Sequence, residues 1–311
     1  MAQATPIEAR VTAADVDVAG VRRGAPTLQK TLRRLGKMRV GVASGVIMIA
    51  MVLVALFAPL VAPHDPYEGE LVNRLLPPAW MPGGNWTYLL GTDQIGRDTL
   101  SRLIYGAQVS LAAGFLAMVI SVVIGVPLGV LAGYSGKAAD TIISTIINIM
   151  LTFPFVLLAL TVISVLGPSF SNVILVLGIA SWTVYGRVIR AEVRKLKELD
   201  YVLAARTLGM SSFRIVAFHI LPNTINSVVV LSTVQIARFI IAEAFLSFLG
   251  LGVQAPTASW GSMLGDSRQF MYDRWWLPTF PGLAIFVTTL AINLFGDSIR
   301  DWLDPYARNV S

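Results

Sequence analysis

The sequence of 311 residues contains no cysteine and only two histidines, and charged residues make up just 14% of it. Without cysteine the chain has no disulfide bond, no thiolate nucleophile and no cysteine-ligated metal. A soluble domain carries about 25% charged residues, so the low charge excludes an ordinary water-soluble fold. Hydrophobic residues reach 55%, which indicates a protein embedded in a lipid bilayer.

Motifs for hydrolytic or nucleotide chemistry are also missing. The sequence has no Gly-x-Ser-x-Gly elbow, no His-Glu-x-x-His pair and no Walker phosphate loop. In the topology described below, His64 and His219 lie on opposite sides of the membrane and cannot share a metal ion. We therefore predict a non-catalytic chain without cofactor or metal, in which another subunit supplies the energy for any driven work.

Charge-free stretches predict the membrane-spanning helices, because a helix needs roughly 20 apolar residues to cross about 30 Å of hydrocarbon. The 46 uncharged residues between Asp140 and Arg187 are long enough for two spans, separated by the turn at Gly167-Pro168-Ser169. Segment 244–253 is apolar but too short to cross, and we expect a re-entrant or surface helix there. The six predicted spans are 40–61, 107–132, 142–166, 171–185, 224–242 and 277–296.

Lys and Arg are distributed unevenly over the connecting segments. With the N-terminus inside, the cytoplasmic segments hold 18 of these residues and the opposite side holds 6. Cytoplasmic loops are enriched in Lys and Arg, so the sequence predicts an all-α fold with six transmembrane helices and both termini in the cytoplasm. Trp182 and Tyr185, at the predicted end of span four, are expected at the membrane interface. Because the net charge of +6 follows the topology, nucleic acid is not an expected partner.

The chain divides into four regions. Residues 1–39 form a cytoplasmic tail, disordered at first; its later part alternates leucine with Lys and Arg, which predicts a basic amphipathic helix on anionic membrane lipid. Residues 40–106 hold the first span and an extracytoplasmic loop. Residues 107–296 form the transmembrane core, and residues 297–311 form a second cytoplasmic tail.

The loop between spans four and five, residues 187–223, is long and has a helical pattern. Asp200 is expected to cap a helix that Gly209 stops in a left-handed conformation. Ser211 or Ser212 can cap a second helix, which we expect Pro222 to end. The adjoining spans leave such a hairpin no reach into a DNA groove. A lipid-surface role and a docking role both remain open.

The same loop carries a pattern known from one family. Leu203-Ala204-Ala205, then Gly209, then His219-Ile220-Leu221-Pro222 resemble the Glu-Ala-Ala, Gly and Ile-x-Leu-Pro of the "EAA" loop in bacterial ABC importer permeases. Leucine replaces the family's glutamate, and His219 stands in place of its isoleucine. By this resemblance, the residues that couple the chain to an ATPase are Leu203, Ala204, Ala205, Gly209, Leu221 and Pro222.

Two further segments resemble the C-type permeases of dipeptide, oligopeptide and nickel importers. One is 91–107, which begins Gly-Thr-Asp-Gln-Ile-Gly-Arg-Asp, and the other is 243–253 with the following Trp260-Gly261. Gln108 stands where this subfamily frequently has a basic residue. The resemblance implies a permease of the bacterial inner membrane that works with a second permease subunit, two ATPase subunits and an extracytoplasmic solute-binding protein.

The resemblance also implies a solute and a mechanism. It implies import of dipeptides or oligopeptides by alternating access, in which ATP-driven closure of the ATPases moves the loop at 204–209. Permeases for nickel chelates or a glutathione-like solute share these motifs. The alternative of a different class is an ATP-independent channel or secondary transporter; a secondary transporter should have broken spans and inverted repeats, which we do not find in the sequence.

Charged residues near the outer ends of the spans are further candidates, because intramembrane charge is costly and usually faces a cavity or a partner. Arg238 is a candidate pathway or gate residue, or one that reaches the interface. Glu243 is a second such candidate, expected at the interface. We consider the group Asp93, Arg97 and Asp98 for receptor docking or gating, or as part of an ordinary entry helix.

Two local patterns predict contacts of the second span. Asp98 lies four residues before Arg102, the favourable order for an ion pair on a short polar helix that leads into the span. Gly125, Gly129 and Gly133 fall on one helix face, an arrangement that lets helices pack closely in lipid. We predict packing there, with a gating hinge as the alternative.

Overall fold

The computed structural model describes residues 28–303, with the backbone alone for 28–38. It has the predicted all-helical class, with no β-strand in this part of the chain. Of the two predicted tails, residues 1–27 and 304–311 lie outside the described residues, as do the side chains of the amphipathic helix, whereas residues 28–39 belong to α1 and residues 297–303 to α11. The helices are α1 (Leu28–Leu56), α2 (Ala58–Val61), α3 (Thr99–Tyr134), α4 (Lys137–Thr152), α5 (Phe155–Leu166), α6 (Phe170–Leu196), α7 (Asp200–Thr207), α8 (Ser212–Ile215), α9 (Leu221–Phe248), α10 (Trp260–Ser267) and α11 (Trp276–Leu303).

Within residues 28–303, five helices are long and apolar enough to cross a membrane, and a sixth span results if the bent pair α4 and α5 counts as one. Four of the five are α1, α3, α6 and α11. The fifth runs over Ser212–Phe248 and joins α8 to α9 through a π-helical turn at Val216–Ile220. Each of these helices contains most of one predicted span.

The predicted third span, 142–166, is wrong as a single helix. α4 ends at Thr152 and α5 begins at Phe155, and their axes differ by 86°. Pro154 explains the break, because it has no N–H and its ring disfavours helical geometry in the preceding residue. The pair forms either a broken span or a re-entrant loop, whereas we found no broken span in the sequence.

The helix of span five is longer than the predicted 224–242. α9 continues to Phe248, so the separate helix expected at 244–253 is wrong. The apolar residues of that segment extend the span until Gly250, whose φ is +81°. The short helix at this end is α10 instead, and the side chain of Ser259 caps it.

α3 packs against α6 over much of its length and also contacts α9 and α1. Its three glycines lie at this contact. A Cβ atom on Gly125 would lie 2.5 Å from the carbonyl oxygen of Trp182, and one on Gly133 would lie 2.8 Å from that of Arg190. Gly129 makes a similar approach. Because real Cβ atoms essentially never come within 3.0 Å of another heavy atom, only glycine fits at these positions.

Trp182 and Tyr185 lie inside the helix bundle, whereas the aromatic side chains of a membrane-interface belt are exposed. α6 continues past both residues to Leu196, and their side chains are 5% and 0% exposed. The hydroxyls of Tyr185 and of Ser232 on α9 lie 3.2 Å apart in a hydrogen bond. The buried ring therefore has a partner for its polar atom and links α6 to α9.

The helix bundle has two differently built ends. The loop 62–98 and α10 cover the end at which α3 begins, and we call it the loop end. α7 and α8 lie at the opposite end, which we call the hairpin end. There α3 finishes at Tyr134, and the guanidinium of Arg206 lies 5.9 Å from the centre of its ring.

Candidate functional site

α7 and α8 form a helical hairpin within the loop 187–223. Gly209 follows α7 with a φ of +80°, in the left-handed region expected for it. Its N–H donates to the carbonyl of Arg206, and the N–H of Met210 donates to that of Ala205 at 3.1 Å. These two bonds form a Schellman motif, which satisfies the last carbonyls of α7.

Three details of the hairpin differ from the prediction. Neither Asp200 nor Ser211 makes the capping hydrogen bond expected of its side chain. Pro222 does not end the second helix, which continues through the π-helical turn into α9. The N–H of Leu221 bonds to the carbonyl of Val216, five residues back. Pro222 then falls in the first turn of α9, where a missing N–H is tolerated.

The two sides of the hairpin have different surroundings. Val202, Ala205 and Ile215 are buried, together with the ends of α3 and α6. Ala204 is exposed, so the two adjacent alanines face opposite ways. The exposed side carries large apolar side chains, which are Leu203 (38% exposed), Leu208 (86%), Phe213 (81%) and Phe218 (69%).

Four charged side chains form a network at the loop end. Asp93 accepts hydrogen bonds from Arg97 at 2.7 Å and from Arg102. Asp266 on α10 lies 3.2 Å from Arg102 and 3.7 Å from Arg97. Both arginines are almost fully buried, and the network joins loop 62–98, α3 and α10.

Asp266 was missed in the sequence, because it lies 164 residues from Arg102 and no local pattern links the two. Partial burial raises the pKa of its carboxyl above the usual 3.8. The nearby Arg97 and a hydrogen bond from Gln94 oppose this rise, and Asp93 adds to it.

Asp98 does not pair with Arg102, and the polar helix expected to lead into the second span is the first part of α3 itself. α3 begins at Thr99, and the carboxylate of Asp98 caps it. The carboxylate accepts from the N–H of Ser101 at 2.9 Å and from its hydroxyl at 2.6 Å. The cap position directs the side chain at the helix N-terminus, whereas Arg102 turns to Asp93. Nδ1 of His64, at the start of loop 62–98, lies 3.5 Å from the carboxylate of Asp98 at the end of the same loop.

Glu243 is completely buried within the helix bundle. Ser247 donates to its carboxylate at 2.6 Å, and Ser110 of α3 donates at 3.3 Å. Ser110 also accepts from the backbone N–H of Trp260 at 3.2 Å. α10 packs across this part of α9, which the sequence could not show, so Glu243 binds α3, α9 and α10 together.

Arg238 has the opposite surroundings from Glu243. Its side chain is exposed on α9, and it donates one hydrogen bond to Gln235 at 3.3 Å. Exposed residues further along α9 are apolar and include Ile241 and Phe245. Arg238 is therefore a charge on an otherwise apolar face that the chain itself leaves uncovered.

A second charged cluster, missed in the sequence, lies at the hairpin end. Asp140 near the start of α4 accepts from Arg190 and from Arg194, the latter at 2.6 Å. The sequence contains a usable signal for this cluster, because an acid lies just before a predicted span and two arginines lie four residues apart in the loop 187–223. In the described part of the chain, no three His, Asp or Glu side chains come together as metal ligands.

Comparisons with known proteins place the chain in one family. Residues 125–309 match "Binding-protein-dependent transport system inner membrane component", and residues 27–78 match "N-terminal TM domain of oligopeptide transport permease C". The chain is 43% identical over 264 residues to the di/tripeptide transport system permease protein DppC of Pseudomonas aeruginosa, covering 85% of this chain and 87% of that one. It is 44% identical over 266 residues to the dipeptide transport system permease protein DppC of Haemophilus influenzae, with 85% and 90% covered.

Solved structures show the same fold at lower identity. A chain of the MetNI methionine ABC transporter in an inward-facing conformation matches with a TM-score of 0.53 and 20% identity, over 68% of this chain and 96% of that one. A chain of an amino acid ABC transporter matches with a TM-score of 0.52 and 21% identity, over 65% and 94%. Together with the family matches, these similarities show that the chain belongs to the binding-protein-dependent transport system inner-membrane components, the multi-pass permeases of ABC transporters.

Proposed function

We propose that this chain forms half of the pathway by which an ABC importer carries dipeptides, or somewhat longer peptides, across the bacterial inner membrane. The observation that carries the proposal is the 43% and 44% identity, over 85% of the chain, to permeases named for di/tripeptide and dipeptide transport. A second permease would form the other half. Two ATPase subunits would bind on one side of the membrane, and a solute-binding protein on the other.

The hairpin end is the proposed ATPase contact. Its buried side faces the bundle, so the exposed Leu208 and Phe213 point away from it. A hairpin that only rested on lipid would turn such side chains toward the membrane, whereas a partner protein would cover them. Because α8 is continuous with α9, ATP-driven movement of the hairpin passes into span five and drives alternating access.

The loop end is the proposed receptor side. Asp93, Arg97 and Asp98 are 7%, 5% and 1% exposed, so their part in receptor docking or gating is indirect: they hold loop 62–98 in place. Arg238, on the uncovered face of α9, is the proposed pathway residue. Glu243 holds α9 in place against α3 and α10. Intramembrane charge is costly and usually faces a cavity or a partner, which fits a residue of a transport pathway.

The orientation follows the charge count, with both termini and the hairpin end in the cytoplasm. Reporter fusions test it: a fusion after Gly84 should behave as external and one after Lys137 as cytoplasmic. The reverse pattern would mean that the hairpin end faces away from the ATPases.

The break between α4 and α5 removes one argument against a secondary transporter. Family membership is what favours ATP-driven import.

The deciding experiment is uptake by the complete complex in proteoliposomes. Labelled dipeptide should enter only with ATP, the ATPase subunits and the binding protein, and the purified chain alone should hydrolyse no ATP. Uptake without ATP would support a channel or secondary transporter. Uptake of a nickel chelate or glutathione, but of no dipeptide, would refute the solute assignment.

A further inference from the structure

A cavity of about 670 Å³ opens at the loop end of the bundle. The end of α9, the segment that follows it, α10 and loop 62–98 contribute its wall. Its volume lies in the range of small-molecule sites, about 300–1,000 Å³. Charged and amide side chains make up much of the lining, and they are Arg74, Gln94, Arg102, Gln254, Asp266, Arg268 and Gln269.

The wall of the cavity carries unbalanced positive charge. In the network behind it, Asp93 and Asp266 neutralise Arg97 and Arg102. Two further arginines line the cavity, Arg74 and Arg268, and within residues 28–303 neither forms an ion pair. In the described part of the chain the cavity wall therefore carries three arginines, Arg74, Arg102 and Arg268, against one acid, Asp266, which is already paired with Arg102.

Arg268 is held in a fixed position at this wall. Its guanidinium lies 4.3 Å from the centre of the Phe248 ring and donates one N–H to the carbonyl of Phe248. A guanidinium has five N–H donors, so others stay available for a ligand. Their planar arrangement matches the two oxygens of a carboxylate, and stacking on an aromatic ring reduces the ordering that binding requires.

We propose that this cavity receives the carboxylate end of the peptide during import, with Arg268 as its main ligand and Arg74 as a second. The proposal rests on the proposed function and deepens it, because it names the group of the solute that this chain binds. The amides of Gln94 and Gln254 lie in the same wall and suit the peptide bond of the solute. A carboxylate suits two arginines that form no ion pair within residues 28–303 and have amide side chains in the same wall.

The test uses the complete transporter with its binding protein in proteoliposomes. The variants are Arg268→Gln and Arg74→Gln, and the control is Arg274→Gln, whose guanidinium lies over Trp276 at 5.6 Å and outside the cavity wall. Three quantities are measured: uptake of a dipeptide with a free carboxylate, ATP hydrolysis, and the binding-protein concentration at half-maximal uptake.

Arg268→Gln should lower the amount of dipeptide moved per ATP hydrolysed by about tenfold, the effect of losing one charge-assisted contact. Arg74→Gln should lower it less, and Arg274→Gln should leave it unchanged. The half-maximal binding-protein concentration should stay the same in all three variants. Arg268→Lys, which keeps the charge without the planar fork, should recover part of the loss and shows that the site, not the fold, was changed.

Two results would overturn the assignment. Normal uptake per ATP in Arg268→Gln and Arg74→Gln would show that neither arginine binds the solute. A raised half-maximal binding-protein concentration, with normal uptake at saturation, would show that the carboxylate comes from the binding protein. Failure of the wild-type complex to import the dipeptide would refute the proposed function itself, so the two failures are distinguishable.

Discussion

Gln108 provides the donor for a backbone carbonyl that a proline leaves unpaired. Its side-chain Nε2 donates to the carbonyl of Ala55 at 2.7 Å, from α3 to the last turn of α1. In a continuous helix this carbonyl would accept from residue 59, which is Pro59 and has no N–H. Water cannot replace the missing donor in the hydrocarbon region of a membrane. The amide of Gln108 therefore stabilises the break between α1 and α2.

The variant Gln108→Leu leaves this carbonyl unpaired, at an expected cost of about 1–3 kcal/mol in the free energy of unfolding. The second background, Pro59→Ala, restores an N–H at residue 59 that can bond to Ala55. In that background the cost of Gln108→Leu should fall below about 1 kcal/mol, since the carbonyl keeps a partner. Four proteins complete the cycle: wild type, the two single variants and the double variant.

Denaturant unfolding of the four proteins in mixed micelles, followed by tryptophan fluorescence, measures the cycle. A coupling free energy of about 1 kcal/mol or more between positions 59 and 108 is the expected result. Equal costs of Gln108→Leu in both backgrounds would refute the reasoning, because Gln108 would then act through some contact other than the carbonyl of Ala55.

Three further predictions follow from the geometry. Gly209→Val should impose about 1–3 kcal/mol of backbone strain and lower ATPase recruitment and uptake. Gly209→Asn should keep most of the activity. Equal uptake by the two variants at equal abundance would contradict a role for Gly209 in ending α7 through its left-handed conformation. Gly129→Ala brings a Cβ within 2.8 Å of the carbonyl oxygen of Gly186 and should lower the free energy of unfolding by about 1–3 kcal/mol. The control Gly282→Ala has open space around its Cβ and should cost none. Equal melting temperatures of the two variants would refute close packing at Gly129. The raised pKa of Asp266 gives a stabilising contribution that is full below its usual 3.8 and is lost as pH rises through the folded value. The Tm of wild type relative to Asp266→Asn should thus fall as the pH rises above the usual 3.8, and a difference that stays constant with pH would be inconsistent with that shift.

Hydropathy located most of the spans because their signal is local. A charge-free run of sufficient length must be helical to satisfy its backbone in lipid, whatever its neighbours are. Counting charges ignored Pro154, so the 86° break between α4 and α5 was missed although the residue that causes it was visible. The same method ended span five at Glu243, because it treated a charge as a boundary. That carboxylate is paired by Ser110 and Ser247, and the helix runs past it.

The residues of the candidate site also divide into those that local sequence could predict and those that depend on distant contacts. The conformation of Gly209 could be predicted, because a helix stop depends on a few adjacent residues. The burial of Glu243 could not, because it depends on α10 crossing α9. The partner of Arg102 could not be predicted either, because Asp266 is distant from it in sequence. Asp98 is closer in sequence to Arg102, but its carboxylate caps α3 instead.

The two ends of α9 are held differently, and this determines what the helix can transmit. At the hairpin end the π-helical turn Val216–Ile220 joins it to α8 without a loop, and at the loop end Glu243 ties it to α3 and α10. Because the helix is unbroken from Leu221 to Phe248, displacement of α8 must either be absorbed in the widened turn or reach Phe248. Phe248 holds Arg268 through its ring and its carbonyl, so movement that reaches it also moves the charge lining the cavity. The hairpin and the cavity are thus joined by one helix, and the π-helical turn is the place where that connection can loosen.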